Sequence, residues 1–393
     1  MSKGTVLVVL GRFPEVSQTF VVDHIRGLAA CGWTVHVVAK EVDEQLLASS
    51  CLLTVVAGVH RMTAPPRHAV LERAAAIRFL GVGGLRDLRS VVARSAAYHV
   101  RPLRNVIAHV RPSVVHAHFA HNGMIASLAV AGRIPVLVNY HGFDVLQLPQ
   151  SNGWAPFHRL LRGTVGIVHS TFLEEHVAAH LDVELRRVTL GVDSSLFGTA
   201  DRDHVWPAEV RLLTVGRLAA VKGHDTAIEA LAQLQRDGSF LLGIVGDGPE
   251  QSKLEAWAQS LGVASRVDFL GSQPPTRVAE EMAKADVLLV PSRRIGQVQE
   301  GFCRVAVEGM ASGLAVIGTR TGGLAETIGR GGTVVSPDDA AAFAEAVRRM
   351  LSGTSPADIA AQAIDRASDF KLERMWREYD AVTSDVAAKP AGQ

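Results

Sequence analysis

The sequence predicts an α/β protein with two parallel sheets, because short apolar runs alternate with helix-compatible stretches along the whole chain. Runs of this length, bounded by glycine or polar residues, are typical of strands buried in parallel sheets. The chain has 393 residues, which suits two domains. In order, the predicted strands are 5–10, 34–39, 114–118, 136–139, 165–170, 210–215, 241–245, 267–270, 287–290, 315–319 and 333–335.

A polar, turn-rich stretch at 193–210 predicts the connector between the two domains. The first domain is therefore expected over 1–195 and the second over 209–365. The tail after Ser355 contains a further helix-compatible stretch, with Phe370, Trp376 and Tyr379 as expected anchors. The extreme carboxyl end is polar and small, and is expected to be disordered.

Composition excludes several classes of protein. The 40 basic and 39 acidic residues nearly cancel, so there is no overall charge that would favour nucleic acid. No apolar run approaches the roughly 20 residues of a membrane-spanning helix, so a cytoplasmic location is expected. The cysteines at 31, 51 and 303 suit neither an even disulfide framework nor a zinc site.

The segment 61–111 is rich in arginine and carries aliphatic residues at loosely helical spacing. Such a segment can lie on an anionic membrane surface with its aliphatic face in the headgroup boundary. It is equally compatible with a solvated helical face that covers the core of its own domain. The first alternative predicts a peripheral membrane protein with a lipid-linked acceptor.

Four charged residues of the second half are candidates for ligand binding. Arg217 and Lys222 lie in the loop after the predicted strand 210–215, where open α/β sheets bind ligands. A guanidinium and an ammonium together suit a diphosphate. Glu300 and Glu308 flank a break at Gly301 that opens an apolar, helix-compatible run.

These residues, in this order and separation, resemble the retaining nucleotide-sugar glycosyltransferases of GT-B fold, of the family-four type with two glutamates eight positions apart. The resemblance spans nearly the whole chain. Segments 13–20 and 115–120 resemble the exopolysaccharide and colanic-acid branch of that family. Further matches lie at 141–144, 191–193 with Phe197, 246–249, and 321–323 with Glu326.

The resemblance implies two Rossmann-like domains whose parallel sheets face each other across a deep cleft. It also implies that a last helix, at about 366–385, packs back on the first domain. The donor would be a nucleoside diphosphate sugar, with uridine before guanosine, and the acceptor a sugar or a lipid-linked polysaccharide precursor. Because cations would neutralise the leaving diphosphate, no metal cofactor is expected.

The residue roles that the resemblance implies begin with the donor. Arg217 and Lys222 would stabilise the diphosphate, helped by backbone N–H groups at the start of the helix after Phe302. Glu308 would bind the ribose hydroxyls. Glu300 would hold the hexose and stabilise positive charge at the anomeric carbon during same-face attack. Alternatively, Glu300 would act as the nucleophile of a double displacement. Backbone contacts to the donor are expected from Gly11, Arg12, Gly246, Leu270, Gly301, Phe302 and Cys303.

Glycine and cysteine positions mark departures from the family pattern. Gly11 follows the predicted first strand, where relatives often have two adjacent glycines. Cys303 replaces a glycine, and would be strained if the backbone there needed a positive φ. A helical backbone would accept it. The sequence Asp201-Arg202-Asp203 looks like a metal-binding motif but follows no predicted strand.

The amino-terminal half supplies the expected acceptor side, formed by Ser17, Gln18, His118 and Asp144. Gln18 stands where the branch usually has glutamate, so an acidic role there is in doubt. His141 follows the predicted strand 136–139 and is expected to donate to a sugar hydroxyl or phosphate oxygen, with Asp144 orienting its ring or binding acceptor. His116 and His118 are expected on opposite sides of their strand, with only His118 facing the site.

Three other functions compete with transfer to a polysaccharide precursor. The same donor motifs would serve a soluble natural-product acceptor. They would also serve an epimerase of the same fold, acting on a nucleotide-linked amino sugar. A catalytically silent sugar-nucleotide binder is disfavoured by the complete set of Arg217, Lys222, Glu300 and Glu308.

Overall fold

The protein was analysed as a computed structural model that describes residues 2–15, 18–63, 90–198 and 205–389. The chain forms two compact units. Unit 1 consists of Met1–Gly191 together with Leu372–Gln393, and unit 2 of Val192–Lys371. Each unit contains one sheet, and the predicted α/β fold with two parallel sheets is confirmed.

Unit 1 contains a seven-stranded parallel sheet with the order β3-β2-β1-β4-β5-β6-β7. The order reverses between β1 and β4, which makes the carboxyl ends of these strands a place where α/β sheets bind ligands. The strands are β1 (Thr5–Phe13), β2 (Thr34–Val42), β3 (Gly58–Arg61), β4 (Val114–His118), β5 (Val136–Asn139), β6 (Val165–Val168) and β7 (Glu184–Arg187).

Helices connect these strands, as parallel pairing requires. The core is formed by aliphatic residues of the central strands and of the helices that cover them. The helices are α1 (Thr19–Ala30), α2 (Glu44–Ser49), α3 (Val91–Val110), α4 (Ala120–Val130), α5 (Leu148–Asn152), α6 (Ala155–Leu160) and α7 (Thr171–His180).

Two edge strands and one strand end differ from the sequence predictions. β3 and β7 were not predicted, because an edge strand is half-solvated and these two contain charged or histidine residues instead of an apolar run. β1 extends to Phe13, so Gly11 and Arg12 lie inside the strand and do not follow it. Arg12 pairs with Asp43 at 2.8 Å on the surface.

Unit 2 contains a six-stranded parallel sheet with the order β10-β9-β8-β11-β12-β13. Its order reverses between β8 and β11. The strands are β8 (Glu209–Val215), β9 (Ser239–Val245), β10 (Val267–Gly271), β11 (Val287–Val290), β12 (Ala315–Thr319) and β13 (Gly332–Val335). The helices are α8 (His224–Leu234), α9 (Gln251–Ser260), α10 (Pro275–Lys284), α11 (Arg304–Ala311), α12 (Leu324–Ile328), α13 (Ala340–Gly353) and α14 (Pro356–Ala367).

The last helix, α15 (Leu372–Ala388), packs on unit 1 although it follows unit 2 in sequence. The indole N–H of Trp376 donates to the carbonyl oxygen of Asp23 in α1 at 2.9 Å. The helices approach closely because residue 27 is glycine, where a Cβ would come within 2.1 Å of the Trp376 ring. Tyr379 reaches the sheet itself, where its hydroxyl donates to Asn139 Oδ1 at 2.7 Å.

Among the described residues, no helix has both the length and the apolar character needed to span a bilayer.

Candidate active site

Among the described residues, the shortest hydrogen bond between two candidate residues joins Lys222 and Glu300 in unit 2. Lys222 Nζ lies 2.6 Å from Glu300 Oε1, although the two residues are 78 positions apart in sequence. The Glu300 side chain is only 11% exposed. A short ion pair of this kind, near the carboxyl ends of β8 and β11, places one positive and one negative group where the fold binds ligands.

Glycine positions the lysine. Gly223, directly after Lys222, has a φ of 68°, which a glycine adopts without strain. A Cβ at this position would come within 2.0 Å of the carbonyl oxygen of Pro291, which follows β11. The loop after β8 therefore lies directly against the loop after β11. That close approach brings Lys222 to the segment that carries Glu300.

Ser292 and the residues after β12 position the glutamate. The hydroxyl of Ser292 donates to Glu300 Oε1 at 2.7 Å. On the main chain, the N–H of Gly323 donates to the carbonyl oxygen of Glu300 at 2.9 Å. The loops that follow β11 and β12 thus hold both the carboxylate and the backbone of this residue.

The two charges stabilise each other. Burial lowers the pKa of Lys222, but attraction to Glu300 outweighs it and raises the pKa above the ordinary lysine value. Burial raises the pKa of Glu300, but the charge and hydrogen bond of Lys222 and the bond from Ser292 outweigh it, so the pKa is lowered. Both groups are therefore ionised at neutral pH.

Arg217 follows β8 and contributes a second cation to the same edge of the sheet. Gly216, directly before Arg217, lies against the lysine side chain, since a Cβ at position 216 would come within 3.6 Å of Lys222 Cδ. Within residues 2–15, 18–63, 90–198 and 205–389, the exposed Arg217 guanidinium has no carboxylate partner. A cation held beside another cation without a counter-charge favours an anionic ligand.

Glu308 lies in α11, eight positions after Glu300, and is buried. Arg304, one turn earlier, approaches it with 3.6 Å between Nε and Oε1. The structure brings Lys222 and Glu300 into contact, and Glu308 lies on α11, which begins at Arg304 shortly after Glu300. Its role in ribose binding stays a prediction.

Cys303 is the last residue before α11, with φ −107° and ψ 90°. The backbone is extended, so neither a positive φ nor a helical backbone is present at this position, and the cysteine is accepted without strain. Burial raises the pKa of its thiol to about 12. Gly301 is buried, and the Phe302 ring packs edge-on against Phe370 at 5.8 Å, within the core of unit 2.

Gly246 and Leu270 lie at the ends of the neighbouring strands. The N–H of Gly246 donates to the carbonyl oxygen of Gly271 at 2.8 Å, and the N–H of Gly216 donates to Val245 at 2.9 Å. Leu270 is part of β10 and does not follow it. These contacts hold Gly246 close to the Arg217 loop, while their part in base binding stays a prediction.

Unit 1 has histidines at the carboxyl ends of three adjacent strands. His118 ends β4, His141 follows β5 by two positions, and His169 follows β6 directly. Because the strands are parallel neighbours, the three rings meet at one edge of the sheet. The His141 ring lies 5.2 Å from that of His118 and 5.0 Å from that of His169, between centroids.

Hydrogen bonds link two of these histidines, His118 and His141, with His24 on α1. His118 Nδ1 lies 3.0 Å from His141 Nε2, and His118 Nε2 lies 2.9 Å from His24 Nδ1. Both His24 and His118 are fully buried, whereas His141 is half-buried. Burial is the largest cause of a pKa well below the ordinary histidine value in all three.

The expected opposite orientation of His116 and His118 is wrong. Side chains two positions apart on a strand point to the same face. Both rings accordingly lie 5.0 Å from the ring of His24, between centroids. His116 is completely buried and contacts the hydroxyl of Thr383 in α15 through Nε2 at 3.2 Å.

Asp144 binds backbone and not the ring of His141. Its carboxylate accepts from the N–H groups of Ala120 at 2.7 Å, His141 at 3.0 Å and Gly142 at 3.1 Å. Burial outweighs these bonds and raises its pKa to about 6. Because Asp144 is completely buried, it holds the His141 loop in place and is not exposed for contact with an acceptor.

Most of the remaining predicted residues lie outside the described ranges, and Gln18 is the exception. Gln18 precedes α1, and its amide donates to the carboxylate of Glu15. Ser17, most of the basic segment 61–111, and Asp201-Arg202-Asp203 lie outside the described residues. The described ranges contain no group of three or more histidine, cysteine, aspartate or glutamate side chains placed to hold a metal. Metal independence stays a prediction.

Sequence reasoning did not identify Ser292, His24 or His169. Ser292 stands two positions after the predicted strand 287–290, which was an available signal, and His169 lies next to the last position of the predicted strand 165–170. His24 gave no such signal, because its position on α1 next to His118 depends on how the helix packs on the sheet.

Comparison with known proteins agrees with the two-unit structure. Residues 17–196 match the model of Glycosyltransferase Family 4, and residues 201–368 match that of Glycosyl transferases group 1. The chain is 30% identical over 299 residues to a glycogen synthase of Mycobacterium tuberculosis, covering 70% of this chain and 68% of that protein. It is 27% identical over 297 residues to an N-acetyl-alpha-D-glucosaminyl L-malate synthase of Bacillus anthracis, covering 71% and 74%.

Solved structures show the same fold. The Anabaena protein HepE, solved in complex with UDP and glucose, is 19% identical, with a TM-score of 0.74 over 97% of this chain and 99% of that one. Several other curated relatives are matched over only about half of their own length, so they bear on the family and not on substrates. The chain belongs to the group 1 glycosyltransferases of GT-B fold, with a family-four amino-terminal part.

Proposed function

We propose that this glycosyltransferase moves a hexosyl residue from a nucleoside diphosphate sugar, with a UDP-sugar as the first donor to test, to a lipid-linked or polysaccharide-precursor acceptor, with retention at the anomeric carbon. The donor part of the proposal rests on the contact between Lys222 and Glu300 at the carboxyl edge of the unit 2 sheet. The resemblance of segments 13–20 and 115–120 to exopolysaccharide enzymes supports the acceptor.

The ion pair suits a leaving diphosphate. Negative charge on the diphosphate rises as the anomeric bond breaks, and preorganised cations stabilise that charge. Lys222 is already ionised by its neighbour, and Arg217 is exposed beside it. Both cations would turn to the diphosphate, which would release the Glu300 carboxylate from its resting contact with Lys222.

The released carboxylate would then serve the sugar. Ser292 keeps one oxygen of Glu300 in place at 2.7 Å, so the group stays oriented when Lys222 turns away. Glu300 would accept from hydroxyls of the hexose and stabilise positive charge at the anomeric carbon. The acceptor oxygen would attack on the face that the diphosphate leaves, and its proton would pass to the departing phosphate. A covalent sugar on Glu300 in denatured, mass-analysed enzyme would instead establish double displacement.

Two further roles are part of the proposal. Glu308 would accept hydrogen bonds from the ribose hydroxyls, since a carboxylate has lone pairs for both hydroxyls of a vicinal diol. His141 of unit 1 would donate to a sugar hydroxyl or phosphate oxygen. No metal is assigned, so turnover in the presence of a chelator should equal turnover without it.

A soluble acceptor is the second candidate. The relative from Bacillus anthracis is named as an N-acetyl-alpha-D-glucosaminyl L-malate synthase, and malate is a small, water-soluble acid. The donor motifs would be unchanged in that case.

Membrane binding through 61–111 stays a prediction. Sedimentation with anionic and with neutral vesicles tests it directly, and equal recovery of the protein in both supernatants would reject it.

The experiment that tests the proposed function is a donor panel followed by product analysis. A ligand that binds only the folded state raises the melting temperature, so UDP-sugars and GDP-sugars are compared with the corresponding monophosphates. Release of nucleoside diphosphate is then measured with and without glycolipid and soluble acceptors. Release that needs an acceptor supports transfer, whereas equal release without one supports the epimerase. A flat melting temperature across the panel contradicts both.

A further inference from the structure

The three linked histidines of unit 1 form a chain in which each contact must contain one proton. His24 and His118 approach at 2.9 Å, and His118 and His141 at 3.0 Å, nitrogen to nitrogen. Two bare nitrogens at such a distance would repel, and two N–H groups would clash. Each pair therefore consists of one donor and one acceptor.

Counting protons leaves only two arrangements. Burial keeps all three rings neutral, so each ring has a single N–H group. If His118 donates through Nδ1, then His24 donates to it and His141 keeps its proton on Nδ1. If His118 donates through Nε2, then His141 donates to it and His24 keeps its proton on Nε2. The direction of the whole chain is thus fixed by whether His24 Nε2 is protonated.

Two neighbouring histidines show which kind of nitrogen this core leaves without a partner. His169 Nδ1 must donate to the carbonyl oxygen of Val188, 2.9 Å away, because a carbonyl only accepts. Its Nε2 is then bare, and this atom is buried with no partner among the described residues. In His169, therefore, the nitrogen without a proton is the one that is buried without a hydrogen-bond partner.

His116 gives the same result independently. The hydroxyl of Thr383 uses its proton on the carbonyl oxygen of Tyr379 at 2.6 Å, so it accepts from His116 Nε2 at 3.2 Å. His116 Nδ1 is then bare, and it is likewise buried without a partner in the described part of the chain. An orphaned buried N–H is rarer in folded proteins than an under-satisfied acceptor.

His24 Nε2 is a buried nitrogen of the same kind, also without a partner among the described residues. The ring lies stacked on Tyr379 at 4.0 Å, between centroids, and the hydroxyl of Tyr379 donates to Asn139 Oδ1. By the rule that His116 and His169 both follow, His24 Nε2 is bare and the proton of His24 is on Nδ1.

We propose that His24 and His118 are positioning residues, which fix His141 as the Nδ1–H tautomer and thereby make it a hydrogen-bond donor to the ligand. This inference deepens the proposed function, on which the identity of the ligand rests. The chain runs from His24 through His118 to His141, and its buried end has no proton source. With its single proton on Nδ1 and its Nε2 accepting from His118, His141 has no free lone pair for a ligand proton. It therefore acts as a neutral donor and not as a general base.

Packing holds the ring in the same orientation. The centroid of His141 lies 4.4 Å from that of Phe20 and 4.7 Å from that of Phe119. Aromatic side chains of this size restrict rotation of an imidazole between them. His141 Nε2 is occupied by His118, so Nδ1 is the nitrogen left for a ligand oxygen.

The test is nuclear magnetic resonance of the histidine ring nitrogens in the full chain at neutral pH. His141 is expected to show a protonated Nδ1 and a bare Nε2, with coupling through the hydrogen bond to His118 Nδ1. A bare Nδ1 or a doubly protonated His141 would overturn the inference. The spectrum needs no sugar nucleotide, so failure of this inference and failure of the proposed transfer are read separately.

A variant tests whether the chain is the cause. His24→Phe keeps an aromatic ring on Tyr379 but removes the donor, so His118 loses its fixed direction and His141 should populate both tautomers. The control is His60→Phe, which breaks a similar contact, His36 Nδ1 to His60 Nε2 at 3.1 Å, and should leave the His141 signals unchanged. An unchanged single tautomer of His141 in folded His24→Phe protein would overturn the positioning role.

Discussion

The carbonyl oxygen of Glu300 lies so close to Gly322 that a Cβ on residue 322 would come within 2.0 Å of it. Gly322 also has a φ of 51°, a conformation that side chains disfavour. The glycine after β12 is thus a condition for the backbone position of the glutamate that contacts Lys222.

Gly322→Ala is therefore expected to displace Glu300 and to lower kcat. A displacement of about 1 Å at a reacting group costs on the order of a hundredfold in rate. The measurement is steady-state turnover of the best donor and acceptor. Gly353→Ala is the matched control, because no atom lies within 4 Å of its Cβ position. Equal turnover in the two variants would show that the close approach does not matter for activity.

Lys222→Ala and Glu300→Gln are each expected to abolish turnover while the fold is kept. The first removes the cation beside the diphosphate, and the second removes the charge that would stabilise the anomeric carbon. Loss of Lys222 should also raise the pKa of Glu300, since burial then acts without the compensating charge. Turnover assays with thermal melting would measure the loss of activity in folded protein, and infrared titration of the Glu300 carboxylate would measure its pKa. Lys284→Ala, which removes an exposed ammonium paired with Glu281, is the control for loss of a lysine. Full activity in either site variant would remove that residue from the mechanism.

Ser292→Ala should have a smaller effect. It removes the 2.7 Å hydrogen bond to Glu300 Oε1 but leaves the carboxylate and Lys222 in place. A bond to a charged acceptor contributes about 1.5 to 3 kcal/mol, so kcat is expected to fall by on the order of tenfold to a hundredfold. Donor KM should change little, because the diphosphate contacts remain. A large increase in KM with unchanged kcat would indicate that Ser292 binds substrate and does not orient Glu300.

Unit 1 should lose stability as the pH falls below the ordinary pKa of histidine. The unfolded chain protonates its histidines near pH 6.5, whereas the folded state keeps the buried ones neutral. The unfolded state then binds more protons, so the free energy of unfolding falls with pH, by up to about 1.4 kcal/mol per pH unit for each group. The stabilisation is complete above pH 6.5 and is lost as the pH falls through the folded pKa values, which are about 4 for His169 and about 3 for His116. The groups concerned are His24, His116, His118, His141 and His169.

Asp144 acts in the opposite direction. Its folded pKa of about 6 lies above its ordinary value of 3.8, so the folded state holds this proton first and gains stability between those values as the pH falls. One such group does not cancel five histidines. Urea unfolding between pH 7.5 and 5 is the measurement, and a midpoint that stays constant or rises towards pH 5 would contradict neutral burial of the cluster.

Tyr379→Phe should destabilise unit 1 without touching the candidate donor residues. The variant leaves Asn139 Oδ1 buried without the hydroxyl that donates to it at 2.7 Å. The expected cost is about 1 to 3 kcal/mol, or a decrease in melting temperature of about 2 to 4 °C for each kcal/mol in a unit of this size. An unchanged melting temperature would mean that α15 is not fixed to the sheet through this contact.

The sequence by itself determined the two parallel sheets and the family. Central strands of a parallel sheet are buried on both faces, so they appear as apolar runs wherever they occur, and their polar carboxyl ends mark where Arg217, Lys222 and His141 would lie. Edge strands such as β3 and β7 escaped prediction because half-solvated strands need no apolar run. The end of β1 was misplaced for a related reason, since Gly11 and Arg12 interrupt the apolar run although Arg12 pairs with Glu41 of β2.

Only the tertiary structure decided which polar groups touch. The contact of Lys222 with Glu300 depends on two loops that close on each other at Gly223, and nothing local in the sequence states that distance. The direction of the histidine chain depends on His24 of α1, whose ring reaches His118 at the end of β4. Asp144 bonds to backbone N–H groups and not to a ring. Periodicity reports burial along one element, whereas hydrogen bonds between elements depend on packing that no single segment contains.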